Sequence, residues 1–264
     1  MTYIPLDNTD VLLAAALLLI NGLISVAFAL GLGRSLLVAA TRMVVQLAIV
    51  GLMLRWLFSS VSPWLTFGFA LIMVGFAGYE AMARQEQRLA GTWGFGIGMF
   101  AMGFAGISVT LLALTILLRP EPWFQPRFAI PILGMVLGNC MTGVAIALNQ
   151  FLSQARQRRN GVEAMLALGY PREKALAPLL KSAARAGMIP IINSMAAAGV
   201  VFLPGMMTGQ ILAGVEPGQA VKYQMVIMFL IAGGTGVGVL LALLGAARRL
   251  SDERHRLRLD RLKS

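Results

Sequence analysis

Long apolar runs follow one another along the chain, separated by short polar breaks. They cover Val11–Leu32, Leu36–Phe58, Trp64–Ala83, Gly94–Leu118, Ala129–Leu152, Gly187–Leu203 and Tyr223–Ala247, with a shorter apolar stretch, Gly205–Gly214, after the sixth. A helix needs about 20 such residues to cross the hydrocarbon core of a bilayer. The pattern therefore predicts an all-α fold, a polytopic integral membrane protein with about seven transmembrane helices. The leader Met1–Asp10 carries Asp7 and Asp10 but no lysine or arginine. That is the wrong flank for a cleavable signal peptide, so the first run reads as a retained span.

One segment breaks the pattern. Residues 153–186 are the only sizeable hydrophilic insert, and they divide the chain into spans one to five (1–152), the insert, spans six and seven (187–247) and a basic tail (248–264). Within the insert, Val162, Met165, Leu166 and Leu168 mark an apolar helical face, Gly169 ends that helix, and Tyr170-Pro171 opens another. A short helix–Gly–helix outside the membrane suits a subunit driven by a separate motor. A rigid helix can sit in a groove of an ATPase and pass its movement to the spans, while glycine permits the sharp turn. The candidate coupling residues are Glu163, Ala164, Leu168 and Gly169, with Arg158 and Arg159 just ahead of them. The spacing Glu163-Ala164-x4-Gly169 resembles the loop by which bacterial ABC importer permeases dock into their ATP-binding subunit, with Met165 at its third position. An ordinary interfacial helix is the alternative.

Polar groups inside spans are costly, which makes each a functional candidate. Arg42 and Gln46 lie one turn apart on the second span, and Glu80 ends the third, four residues before Arg84. Interhelical salt bridges or snorkelling anchors are the structural alternatives for Arg42 and Glu80. Two stretches share Gly-Met-x-x-Gly-[Asn/Gln], at 134–139 and 205–210, each with a proline close upstream. Asn139, Met141, Met206, Met207 and Gln210 could supply amide oxygen and soft sulfur to a cation pathway. Close helix packing explains the glycines equally well. Cys140 with Met141 does not make a metal site.

The 22 basic against 11 acidic residues, net +11, raise the question of nucleic acid. Their placement answers it. With the N-terminus outside, seventeen basic residues fall on inner segments and four (Arg55, Arg119, Arg127, Lys222) on outer ones. That is the positive-inside pattern, and it predicts N-out, C-in. Most of the charge is then topological, with no nucleic-acid partner, and the tail reads as an orientation anchor on anionic lipid. One cysteine and one histidine exclude a disulfide framework and a Cys/His zinc site. No phosphate-binding Gly-x4-Gly-Lys-[Ser/Thr] loop occurs, and intramembrane protease pairs are missing, since all four aspartates lie outside the spans. The chain is thus expected to be no enzyme and to bind no cofactor of its own. A stand-alone secondary transporter or channel is the alternative to a driven subunit, but only Glu80 is placed to couple ions.

Arg42-x3-Gln46-Leu47, Tyr79-Glu80, Pro131–Gly143, Glu163–Gly169 and Leu203–Gln210 together resemble the FetB-type permeases, over nearly the whole chain. Cys140 stands where that family usually has a small hydroxyl residue. These permeases are membrane subunits of a small ABC transporter family implicated in bacterial iron export, with plant relatives linked to aluminium tolerance. The resemblance implies a multi-pass inner-membrane permease, paired as a homodimer with a cognate ATP-binding subunit that uses the ATP. It implies metal export with iron as cargo, and Glu163–Gly169 as the coupling element.

Overall fold

The computed structural model describes residues 7–83, 85, 87–252 and 256–263, and the chain forms two compact units divided after Ser60. In the first unit, α1 (Asn8–Ala27) and α2 (Gly33–Ser59) make a helical hairpin. Its turn is closed by Leu30 N–H donating to Ser25 O (2.9 Å) and Leu32 N–H donating to Ser25 Oγ (2.9 Å). Nearly all of its leucines and valines are exposed, as lipid-facing side chains are.

The second unit contains α3 (Pro63–Ala83), α4 (Trp93–Leu112), α5 (Pro126–Gln157), α6 (Arg159–Ala167), α7 (Arg172–Ala197), α8 (Gly205–Leu212) and α9 (Pro217–Arg249). Among the described residues seven helices, α1 to α5 with α7 and α9, are long and apolar enough to cross a membrane. At 32 and 33 residues, α5 and α9 rise about 48–50 Å and so project beyond a core of about 30 Å. Glu216 caps α9, its carboxylate accepting from the N–H groups of Gly218 (2.8 Å) and Gln219 (2.9 Å). The last turn of α4 widens into a π-helical segment, Ala113–Leu118.

At the centre stands α5, packed by α3, α4, α7 and α9. Water cannot drive apolar helices together inside lipid, so their association rests on close fit and small residues. Gly143 of α5 meets Gly187 of α7, where an added Cβ would lie 2.9 Å from Gly187 O and 2.7 Å from Thr235 Cγ2. Val136 fills the space above Gly234 of α9, and the Cys140 sulfur the space above Gly238. The order of these contacts makes α5 and α9 parallel neighbours.

The sixth span differs from expectation. Where the apolar run suggests 187–203, the second half of the insert and the span are a single helix, α7, that stops at Ala197. A tight turn follows, with Gly199 N–H donating to Phe202 O (2.9 Å), and leads into α8. With eight residues α8 rises only about 12 Å and cannot span.

The tail, read from sequence as an orientation anchor, folds back onto the bundle. Leu89 and Leu262 pair across a two-residue antiparallel ladder, Arg88–Leu89 with Leu262–Lys263. Ala90 N–H donates to Arg261 O (2.7 Å), and Arg261 Nη1 donates to Arg249 O (2.8 Å). Leu257, Leu259 and Leu262 pack against the main buried cluster, an apolar attraction that a count of charges does not register.

Candidate functional site

The insert is built as a corner. On α6, Val162 is 3% exposed while Met165 and Leu166 pack half-buried against the main cluster. Ala164 and Leu168 point away, Leu168 being 78% exposed, so Leu168 does not share the packed face expected for it. Arg158 is exposed at the junction of α5 and α6. The guanidinium of Arg159 donates from Nε to Glu163 Oε1 (2.8 Å), one turn along the exposed side. Gly169, at φ +87°, reverses the chain. Tyr170 N–H donates to Met165 O (3.1 Å) and Gly169 N–H to Leu166 O (3.0 Å), the paired bonds of a Schellman cap. Pro171 then starts α7, which continues without a break into the membrane.

Around the corner the chain is tied to its neighbours. Arg172 Nη1 donates to Asp252 O (3.4 Å) and to Ser251 Oγ (3.5 Å) of the folded-back tail. Arg156 Nη1 donates to Gln87 Oε1 (3.0 Å) in the α3–α4 connection, and the Arg249 guanidinium lies 4.7 Å from the centre of the Trp93 ring. At the surface, Arg258 grips Asp260 through two hydrogen bonds (2.8 and 2.7 Å). The hydrogen bonding lowers the Asp260 carboxyl from 3.8 to about 2 and raises the Arg258 guanidinium.

The membrane candidates separate into groups. Arg42 and Gln46 belong to α2 in the first unit. Glu80 is half-buried near the end of α3, and Arg84 lies outside the described residues. Asn139 is exposed on α5 and donates from Nδ2 to Met135 O (2.9 Å). Met141 packs on the main cluster, whereas Met206 packs on a second one. Met207 is half-buried on α8, and Gln210 on the same helix has a buried Oε1 without a hydrogen-bond partner. That second cluster centres on Ala113, Ile132, Val136, Ile191, Ile227 and Ile231, and it gathers Met135, Met188 and Met228 as well.

The glycines of the repeated motif are not the packing glycines. Among the described residues, nothing beyond the adjoining backbone lies within 4 Å of a Cβ built on Gly138, Gly205 or Gly209, and on Gly134 it meets only the Met73 methyl at 3.3 Å. Sequence reasoning also passed over Gln224, buried on α9 with an unpartnered Oε1. Its signal was present as a lone amide in the apolar run that begins at Tyr223.

Set beside known proteins, residues 8–251 match the model of a family described as "Uncharacterised protein family (UPF0014)". The chain belongs to the UPF0014 family. Among its relatives, the Escherichia coli (strain K12) "Probable iron export permease protein FetB" is 31% identical, over 98% of this chain and 97% of its own length. A UPF0014 membrane protein of Synechocystis is 37% identical over 76% of this chain and 77% of its own. The Arabidopsis thaliana "Protein ALUMINUM SENSITIVE 3" is 32% identical over 85% and 80%. No solved structure matches the chain. Seven membrane-length helices and this kinship make the UPF0014 chain a multi-pass membrane protein.

Proposed function

We propose that the chain is the membrane-spanning permease subunit of an ABC transporter in the bacterial inner membrane, exporting a metal cation. ATP is bound and hydrolysed by a separate subunit, and two permease chains pair in the working assembly. The N-terminus faces outward, and the insert and C-terminus face the cytoplasm. The observation that carries this reading is the continuity of α6, the Gly169 corner and α7. A push on the exposed side of α6 reaches the sixth span through one capped turn and a single continuous helix, which is the mechanical connection a driven permease requires. The naming of the E. coli relative as a probable iron export permease supports the cargo class.

The test is purification of the tagged chain in mild detergent and identification of what accompanies it. A stoichiometric ATP-binding subunit is expected. Glu163→Arg or Gly169→Arg should reduce its association while leaving membrane insertion intact. Normal co-purification of both variants would remove the coupling role. A chain that purifies alone and moves a solute in liposomes would be a secondary transporter instead.

A further inference from the structure

Two amide oxygens are unexplained by the transport reading. Oε1 of Gln224 on α9 and Oε1 of Gln210 on α8 are shielded from solvent and accept no hydrogen bond among the described residues. Gln224 as a whole is 8% exposed. A buried carbonyl left without a donor is destabilising. In native interiors such orphans mark places where water, an ion or a ligand completes the set.

Each orphan has a methionine beside it. Met206 precedes Gln210 by four residues on α8, and Met228 follows Gln224 by four on α9, so each helix presents a Met–Gln pair on one face. The two helices pack together, and both methionines lie against the second buried cluster. Met135 of α5 and Met188 of α7 reach the same cluster. Four helices therefore bring thioethers to one apolar region, at the end of the bundle opposite the insert, and two of them place an unpartnered oxygen within a turn of it.

The donor chemistry narrows the ligand. Thioethers and amide oxygens are neutral. Among the described residues no group of three or more His, Cys, Asp or Glu could hold a metal ion. Glu216, the carboxylate that caps α9 through Gly218 and Gln219, lies eight residues before Gln224, about 12 Å along the helix. Without negative charge, a low-dielectric site cannot offset the desolvation of a divalent or trivalent ion, because that cost grows steeply with charge. Soft thioether donors select Cu(I) and ions like it.

We infer that α8 and α9 form a site for a soft, singly charged cation of the Cu(I) or Ag(I) type. The sulfurs of Met206 and Met228 hold the ion, Met135 and Met188 add further thioethers, and the Gln210 and Gln224 oxygen dipoles stabilise its charge. The site stands apart from the transport reading, because a neutral pocket of this kind does not suit the iron named for the E. coli relative.

The test is calorimetric titration of Ag(I) into the full-length protein in nanodiscs, with Cys140→Ala throughout so that the thiol takes no part. Saturable binding is expected, and Met206→Leu, Met228→Leu and Gln224→Leu should each weaken it about tenfold or more. Met99→Leu, on exposed α4 surface, should leave it unchanged. Leucine nearly conserves the methionine volume, so these variants keep the fold. Should one of them misfold, the other two still decide. No saturable binding, or equal affinity in the well-folded variants, overturns the site. The titration needs no ATPase, so a missing partner would undo the transport reading and leave this site standing.

Discussion

Single residues in this protein act through what surrounds them, as the glycines illustrate. Gly187 sits where a Cβ would come within 2.6 Å of Gly143 O and 2.8 Å of Ala147 Cβ. Gly187→Ala should therefore destabilise the bundle by about 1–3 kcal/mol, measured as a lowered thermal midpoint in detergent. An unchanged midpoint would mean that the α5–α7 crossing is looser than these distances. Gly138 is just as much a glycine in the sequence, yet its Cβ position meets nothing. Which of the two packs depends on how α5 is rotated, and the sequence does not encode that rotation locally. Gln224 gives the opposite expectation. Replacing its orphaned amide with leucine removes an unmet hydrogen-bonding demand, so Gln224→Leu should raise the midpoint of the ligand-free protein by roughly 1 kcal/mol of stability. A lower midpoint would show that the amide is satisfied by water.

At the scale of elements, the corner at Gly169 was legible because its chemistry is local. A glycine after the last apolar turn, followed by Tyr-Pro, stops one helix and starts another whatever surrounds it. The folded-back tail was not legible, because its attachment joins residues far apart in the chain. Leu89 is 3% exposed, and Leu262 of the tail pairs with it across the ladder. Ending the chain after Ser251 should therefore expose the α3–α4 connection and speed its cleavage in limited proteolysis. Equal cleavage rates would show that the tail does not cover it. The Arg258–Asp260 pair adds a surface contact to this tail. Its carboxyl is lowered from 3.8 to about 2, so its contribution is full above the ordinary aspartate range and fades as pH falls toward 2. Protection of the connection should accordingly hold level from neutral pH down to that range, and a loss at mildly acidic pH would assign the docking to another group.

For the whole molecule, the strongest inference concerns orientation. Seventeen basic residues on the segments assigned inside, against four outside, predict that a reporter fused after Ser264 reads cytoplasmic. A periplasmic signal would reverse the topology and move the insert away from any cytoplasmic ATPase. The same count did not foresee the tail's packing, in which three leucines bind a segment of seven basic residues to the protein. Charge distribution sets the side of the membrane on which a segment lies. What the segment rests against depends on shape and apolar contact.

From the order of residues alone it follows that this chain crosses a membrane, that it does so as helices, and where the insert turns. Each follows from one-dimensional physics: in lipid every backbone group must be satisfied within its own segment, so a long apolar run is a helix before any neighbour is considered. Tertiary structure alone decided which glycines let helices touch, that α8 is a short helix beside α9, and that Gln210 and Gln224 are left without donors. Helix packing depends on rotation and register between segments far apart in the chain, and whether a polar atom is satisfied is known only when all its neighbours are in place.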